Sequence, residues 1–382
     1  MASDPINEYL QITLPSYLAD LHELVSIDSG TMNKAGVDAV ATEMQRRLEA
    51  LGCEVRRLPN PIYGDSVVAR LRGNGSKKIV MVGHTDTVYP DGTAQERPFR
   101  IEGDRAYGPG TCDMKNGILA GLYAMKALKD AGRLDFGELV LFLNSDEEVG
   151  SPTSTQAIDD ESEGATAALV LESGRAGNSV VVGRKGVYDY TLTVYGRNAH
   201  AGANPERGRS AIHELAHKLV PIAALNGLSE GTTLNVGVIH GGTRRNVVAD
   251  RAICEIDVRV LTLEAYRQLD SELRRIVSEP HIPDTRIEVT TGHCFAPMER
   301  NERNVRLYEV ARGVASRLGF ELGATESGGG SDANHISAMG VPVLDGLGPR
   351  GAGAHSPEEH LIIPSVVERT GLLAHLILEL AA

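Results

Sequence analysis

Several short stretches of the 382-residue chain bring together acids and histidines of the kind that bind metal. His84-Thr85-Asp86 follows the apolar run KIVMV. Residues two apart on a strand face the same side, so His84 and Asp86 can be neighbours. That suits an imidazole bound to metal through one nitrogen and held by a carboxylate at the other. The plainer alternative is a strand-end histidine beside an aspartate that caps a helix. Asp113 lies in GPGTCDMKNG, where the glycines and Pro109 let the chain bend sharply. An aspartate there can bridge two cations, or cap the helix that starts near Lys115. Asp146, Glu147 and Glu148 follow ELVLFLNS, and three adjacent acids repel one another unless a cation lies close; the alternative is a solvated acidic turn. Glu172 comes just after AALVL, and His355 sits in the glycine-rich GAGAHSPEE. Two histidines with three carboxylates form a donor set suited to Zn²⁺, Co²⁺ or Mn²⁺.

A frame is needed to bring these residues together. Apolar spacing predicts helices over 6–26 and 37–51, the second stopped by Gly52. Strands are expected over 66–71 and 78–82, a buried helix over 118–131, and strands over 138–143 and 167–171. ELVLFL is an unbroken apolar run, as in a central strand covered on both faces. Alternating strands and helices predict an α/β fold with a mostly parallel sheet, and ligands of open α/β sheets bind at the carboxyl ends of strands. From residue 184 the pattern changes. Strands over 188–195, 232–239, 252–260 and 287–291, with helices over 210–225 and 263–277, give a β-α-β-β-α-β order, the signature of an inserted ferredoxin-like α+β domain. The expected boundaries are 1–183 with 294–382 for the catalytic part and 184–293 for the insertion. After it come a helix over 305–318, a loop at Gly328-Gly329-Gly330, a short strand over 341–344 and a closing helix over 364–380.

Composition narrows the function classes. The net charge of -13 argues against a nucleic-acid surface, which needs clustered Lys and Arg. Cys53, Cys112, Cys254 and Cys294 form no CxxC pair and are too few for a disulfide framework. They fit a reduced, cytoplasmic protein. The start, MASDPINEYLQ, has neither a basic n-region nor an apolar h-region, so no secretory signal is expected. No apolar run approaches the ~20 residues of a membrane span.

Taken together, the motifs GHTDTV (83–88), GPGTCDMKNG (108–117), DEEVGS (146–151), ESG (172–174) and GAHSPEE (353–359) occur in the order found in the M20 family of metallopeptidases. The chain resembles that family over essentially its whole length, and most of all its glutamate carboxypeptidase (carboxypeptidase G) branch. GRNAHAG (196–202), GGTRRNVVAD (241–250) and GGGSDA (328–333) extend the resemblance through the insertion, which would be a lid and dimerisation domain on a zinc-peptidase-like catalytic domain.

The resemblance implies roles. His84 and Glu172 would bind one metal, His355 and Glu148 the other, and Asp113 would bridge both. The Asp113–Met114 peptide would be cis. Asp86 would orient His84, and Glu147 would be general base and acid. His200 would donate to the oxyanion, from the partner subunit of a homodimer. Asn246 and Arg259 would hold a substrate carboxylate, with Gly329, Gly330 and Ser331 adding donors. Turn histidine is the plainer reading of His200, and an ion pair with Asp257 that of Arg259. Two departures stand out. GHCFAPM (292–298) lacks the arginine that relatives usually carry after the lid, which points to a more apolar group near Phe295, and Asn116 replaces the usual second glycine after DMK. The resemblance therefore implies a two-metal hydrolase of N-acyl or N-aroyl amino acids or dipeptides, most simply with zinc. Deacylases of acetylornithine or succinyl-diaminopimelate share the metal motifs. A non-catalytic metal-binding relative would have lost a member of the centre, and a phosphoesterase would need a basic cluster that the motifs lack.

Overall fold

The computed structural model describes residues 4–382, so the first three residues of MASDPINEYLQ lie outside it. The chain divides into two compact units. The first runs to Val182 and resumes over Arg300–Glu326 and Ser331–Ala382; the second is Gly183–Glu299 with Ser327–Gly330.

In the first unit a six-stranded sheet runs in the order Glu54–Leu58, Ser66–Arg72, Glu138–Asn144, Lys78–His84, Ala167–Val170 and Val343–Leu344. The first two strands are antiparallel additions, whereas the four from Glu138–Asn144 onward are mutually parallel. ELVLFL therefore sits between two neighbours, as its unbroken apolar run predicts. Ile79 and Met81 join the main core, into which the helices Pro5–Val25, Lys115–Asp130 and Ser365–Ala381 also pack. Val80 and Val82, equally buried, point to the opposite face. Three parallel strands end close together: His84 lies opposite Asn144, and the third strand ends at Val170, opposite Val82. The chemistry-bearing segments leave the sheet at those ends.

A second, smaller sheet went unseen in the sequence. Its strands are Arg100–Glu102, Arg105–Tyr107, His360–Ile362, Gly348–Ala352 and Ser173–Gly174. Strands of two to five residues are too short to show alternation. This sheet matters because His355 lies on the connection between its antiparallel strands Gly348–Ala352 and His360–Ile362.

The second unit is a four-stranded antiparallel sheet, ordered Thr233–Gly241, Arg251–Val260, Gly186–Tyr195 and Arg286–Phe295. The helices Ala211–Ala223 and Leu263–Ser278 pack against it through Leu215, Ile222, Leu269 and Leu273. The β-α-β-β-α-β order and this strand order are those of a ferredoxin-like fold. The last strand pairs as far as Phe295 with Val187, two residues beyond the boundary expected at 293. Arg184 donates to the carbonyls of Gly329 and Gly330 at 3.1 and 3.0 Å, which holds the glycine loop with this unit and not with the catalytic part.

One glycine near the site tests the packing. Alanine usually stabilises a helix interior by about 1 kcal/mol relative to glycine. A Cβ at Gly117, inside the helix Lys115–Asp130, would lie 2.1 Å from the Leu171 carbonyl oxygen. Backbone cannot yield as a side chain can, so Gly117→Ala should destabilise the protein by roughly 1–3 kcal/mol. Chemical denaturation checks this, and unchanged or increased stability would contradict it.

Candidate metal centre

His84 is the last residue of its strand and is almost wholly buried. Its Nε2 lies 3.1 Å from Asp113 Oδ1, 3.4 Å from Glu172 Oε1 and 3.9 Å from Glu147 Oε2. Its Nδ1 lies 3.0 Å from the Asp86 carbonyl oxygen and 3.3 Å from Asp86 Oδ1. On the other side, His355 Nε2 is 3.2 Å from both Asp113 Oδ2 and Glu148 Oε2. Two triads result, His84–Asp113–Glu172 and Asp113–Glu148–His355, and the ligand atoms of each lie within 4.8 Å of one another. Asp113 belongs to both and presents one oxygen to each histidine. The Asp113–Met114 peptide is cis, as the resemblance implied.

These residues fit a pair of cations for a further reason. Glu148 Oε1 is buried and has no hydrogen-bond partner. A buried acceptor left without a partner loses the solvation it had in water, and a cation is the partner that a carboxylate in such a cluster calls for. Proton affinities in the cluster reflect the same crowding. Burial opposes charge on His84, yet hydrogen bonds to Asp113, Asp86 and Glu172 outweigh it and raise its pKa well above the ordinary value. Hydrogen bonds to Asp113 and Glu148 push His355 up to about 10. Burial raises Glu148 to about 7 and holds Glu147 well above the usual carboxylate range. Asp113 is itself buried, but its two imidazoles prevail and keep its carboxyl below that range.

The supports are mostly residues that the sequence did not single out. Asp86, fully buried, accepts from the Thr31 hydroxyl at 2.7 Å and from the backbone N–H groups of Glu147 and Glu148 at 3.3 and 3.2 Å. One carboxylate thus orients His84 and also fixes the acidic turn. Glu359, also buried, accepts from the N–H groups of Gly110, Cys112 and Asp113 at 3.0, 2.7 and 2.9 Å, clamping the loop that carries Asp113. The Asn116 amide donates to the Thr111 and Cys112 carbonyls at 2.6 and 3.0 Å, so the residue that departs from the family pattern braces the same loop. His355 adopts a left-handed backbone with φ 61°. Tyr89 and Arg97 donate to the Ser356 carbonyl at 3.0 and 3.1 Å and hold that loop in place. Asp332 is buried and accepts from Ser151 and, at 2.9 Å, from the Asn144 amide, beneath the acidic turn.

In the second unit, His200 is exposed, and its Nδ1 accepts from the N–H groups of Gly202 and Ala203 at 3.2 and 3.1 Å. That places the proton of the neutral ring on Nε2. Asn246 is exposed, and its carbonyl accepts from Ala201. Arg259 pairs with Asp257 at 3.0 Å and donates to the Gly328 carbonyl at 3.2 Å, so the ion pair weighed as its plainer reading is present. Gly329 and Gly330 offer their carbonyls to Arg184. Ser331 is buried; its hydroxyl donates to Asp345 at 2.7 Å and caps the helix Asp332–Ala338, so it is engaged within the fold. Phe295, near which a more apolar substrate group was expected, is 7% exposed, and its ring lies where a Cβ on Gly330 would be only 3.3 Å away. The ring packs beneath the glycine loop because the strand carrying it extends to that point.

The model of peptidase family M20/M25/M40 matches residues 80–379. Carboxypeptidase G2 of Pseudomonas sp. (strain RS-16) is 30% identical over 373 residues, 96% of this chain and 90% of that protein. A succinyl-diaminopimelate desuccinylase of Dechloromonas aromatica (strain RCB) is 29% identical, covering 94% and 96% respectively. Among solved structures, aminopeptidase PepT from Bacillus cereus ATCC 10987 superposes with a TM-score of 0.83 at 24% identity, over 97% of this chain and 99% of that one.

An ion entering the centre needs neutral imidazoles and ionised carboxylates, so binding should expel protons and affinity should fall as pH falls. The direction follows from the raised values of His84, His355 and Glu148. Calorimetric titration with Zn²⁺ at pH 7, in two buffers of different ionisation enthalpy, should reveal net proton release; heats independent of the buffer would refute it. Asp86→Ala should weaken metal binding about 10–100-fold, as loss of an outer-shell carboxylate commonly does.

Proposed function

The chain belongs to peptidase family M20/M25/M40 and is a metal-dependent peptidase or amidohydrolase, and on that premise we propose that it cleaves the amide bond of an N-acyl or N-aroyl amino acid, or of a dipeptide, with a free carboxylate. The observation that carries this reading is the shared aspartate: Asp113 faces His84 with one oxygen and His355 with the other. The site would take two divalent ions, zinc first among them. Such ions supply a bound water of lowered pKa and polarise the carbonyl.

Glu147 neighbours Glu148 in sequence but belongs to neither triad, which leaves its carboxylate free for proton transfer. Burial beside other acids raises its basicity, as suits a group that takes a proton from the attacking water and returns it to the leaving nitrogen. Asp86 fixes the turn that aims it. His200, with its proton on Nε2, is the donor proposed for the oxyanion, and Asn246 and Arg259 are those proposed for the substrate carboxylate, with Asp257 holding the guanidinium fork in place. Gly329, Gly330 and Ser331 shape the loop beside them. The desuccinylase relatives favour a second reading, a deacylase of a succinylated or acetylated amino acid, within the same chemistry.

A homodimer through the inserted domain forms part of the proposal. Thr233–Gly241 is an edge strand, and unpaired edges invite a partner. Val238 and Ile239 on that strand, and Ile212 and Val220 on the helix Ala211–Ala223, are exposed. Among the described residues all four cysteines are free, and no helix is long and apolar enough to cross a membrane; a cytoplasmic setting is proposed on the thiols.

A panel of N-acyl amino acids tests the reaction. Glu147→Ala should lower kcat by about 10²–10⁴-fold while two ions stay bound. His200→Ala should lower it by about 10²–10³-fold. A Glu147→Ala protein that works at the wild-type rate would rule out the mechanism.

A further inference from the structure

The catalytic unit carries an apolar concavity close to the candidate metal centre. A concavity of about 480 Å³ adjoins the metal ligand Glu148 and is lined by Met32, Val88, Tyr89 and Val149, among others. Among the described residues twelve large apolar side chains are exposed, and three of them meet here: Met32 at 73%, Val88 at 42% and Val149 at 42%. They come from three separate segments. Scattered exposed apolar residues need no explanation, but a cluster beside a reactive centre does.

The walls are built in advance. Thr31 donates its N–H to the Thr87 carbonyl at 3.1 Å, and Thr87 donates to Ser29 at 2.8 Å. Asp28 accepts from the N–H groups of Gly92 and Ala94 at 2.8 and 2.7 Å, and Asn33 donates to Asp91 at 2.7 Å. Gly30 fits because a Cβ there would stand 2.3 Å from the Tyr89 carbonyl oxygen. Both loops are therefore set before any ligand arrives, as in most small-molecule sites.

The charge lining the concavity selects among ligands. Its lining residues include Asp91 and Glu148 and no lysine or arginine. With Glu148 taken up by an ion, an acyl chain ending in a carboxylate would meet the Asp91 carboxylate with no lysine or arginine in the lining to pair with, whereas an uncharged ring or branched chain would cover Met32, Val88 and Val149. We propose that this concavity is the acyl subsite, and that it takes an uncharged aromatic or branched acyl group and disfavours a succinyl-type one. The proposal rests on the amidohydrolase reading above and narrows it.

The experiment compares N-acetyl, N-benzoyl and N-succinyl derivatives of alanine and of glutamate. Dissociation constants are measured on the metal-loaded Glu147→Ala protein, and kcat/KM on the wild type. Benzoyl derivatives should exceed succinyl ones at least tenfold in both. Met32→Lys, at a position exposed enough to tolerate lysine, should shift the benzoyl-to-succinyl ratio at least tenfold towards succinyl. Ile12→Lys, on the N-terminal helix and 79% exposed, should leave the ratio unchanged. Equal or better use of succinyl derivatives by the wild type would overturn the subsite, as would a ratio unmoved in both Met32→Lys and Val88→Lys. If no derivative is hydrolysed, the amidohydrolase reading fails by itself, and the ratios of dissociation constants still decide the subsite.

Discussion

Mutual repulsion among buried carboxylates is the constraint on which this structure turns. Asp86, Asp113, Glu147, Glu148 and Glu172 gather at the ends of three parallel strands, with Asp332 beneath the acidic turn. Anions at such separations in a poorly hydrated setting are strongly unfavourable unless something neutralises or solvates them. Two kinds of group do so within the chain. Imidazoles face Asp113 from both sides. Backbone N–H groups and hydroxyls solvate Asp86, and N–H groups solvate Glu359. What they leave unmet, the lone Glu148 oxygen and the raised pKa values, is what a pair of cations would satisfy.

The same constraint explains why the supports matter as much as the ligands. A cation site is only as well defined as the loops that bring its donors together, and every one of these loops is irregular. Asp86 joins the His84 strand end to the Glu147–Glu148 turn. Glu359 joins the His355 loop to the Asp113 loop, with Asn116 bracing the latter from within. Asp86 and Glu359 each act between two of the segments that carry ligands, so a change at either is felt at more than one ligand. The difference between the two neighbours on the acidic turn is equally physical: Glu148 faces His355, whereas Glu147 stays off both triads.

The two units hold different sets of candidate site residues. The first unit holds both candidate metal triads and Glu147, together with a preformed apolar depression. The ferredoxin-like unit supplies a histidine of defined tautomer, an arginine steadied by Asp257, and a glycine loop held by Arg184. That loop follows the inserted unit although it is remote from it in sequence, because Arg184 binds its carbonyls.

The sequence by itself determined the elements and the residues that bear chemistry. Short-range periodicity reports burial, so KIVMV and ELVLFL were legible as covered strands, and the β-α-β-β-α-β order was legible in the insertion. Acids and histidines at strand ends marked the centre. Only the tertiary structure decided what those side chains touch. Thr31 reaches Asp86 across 55 positions, and Glu359 reaches Asp113 across 246; no local pattern encodes such contacts. The five- and three-residue strands on either side of His355 were too short to show alternation. Folding also gave three residues their neighbours: Phe295 lies against Gly330, the Ser331 hydroxyl donates to Asp345, and Arg259 pairs with Asp257. Spacing along a chain records which face a residue shares, whereas a site is made where several faces meet.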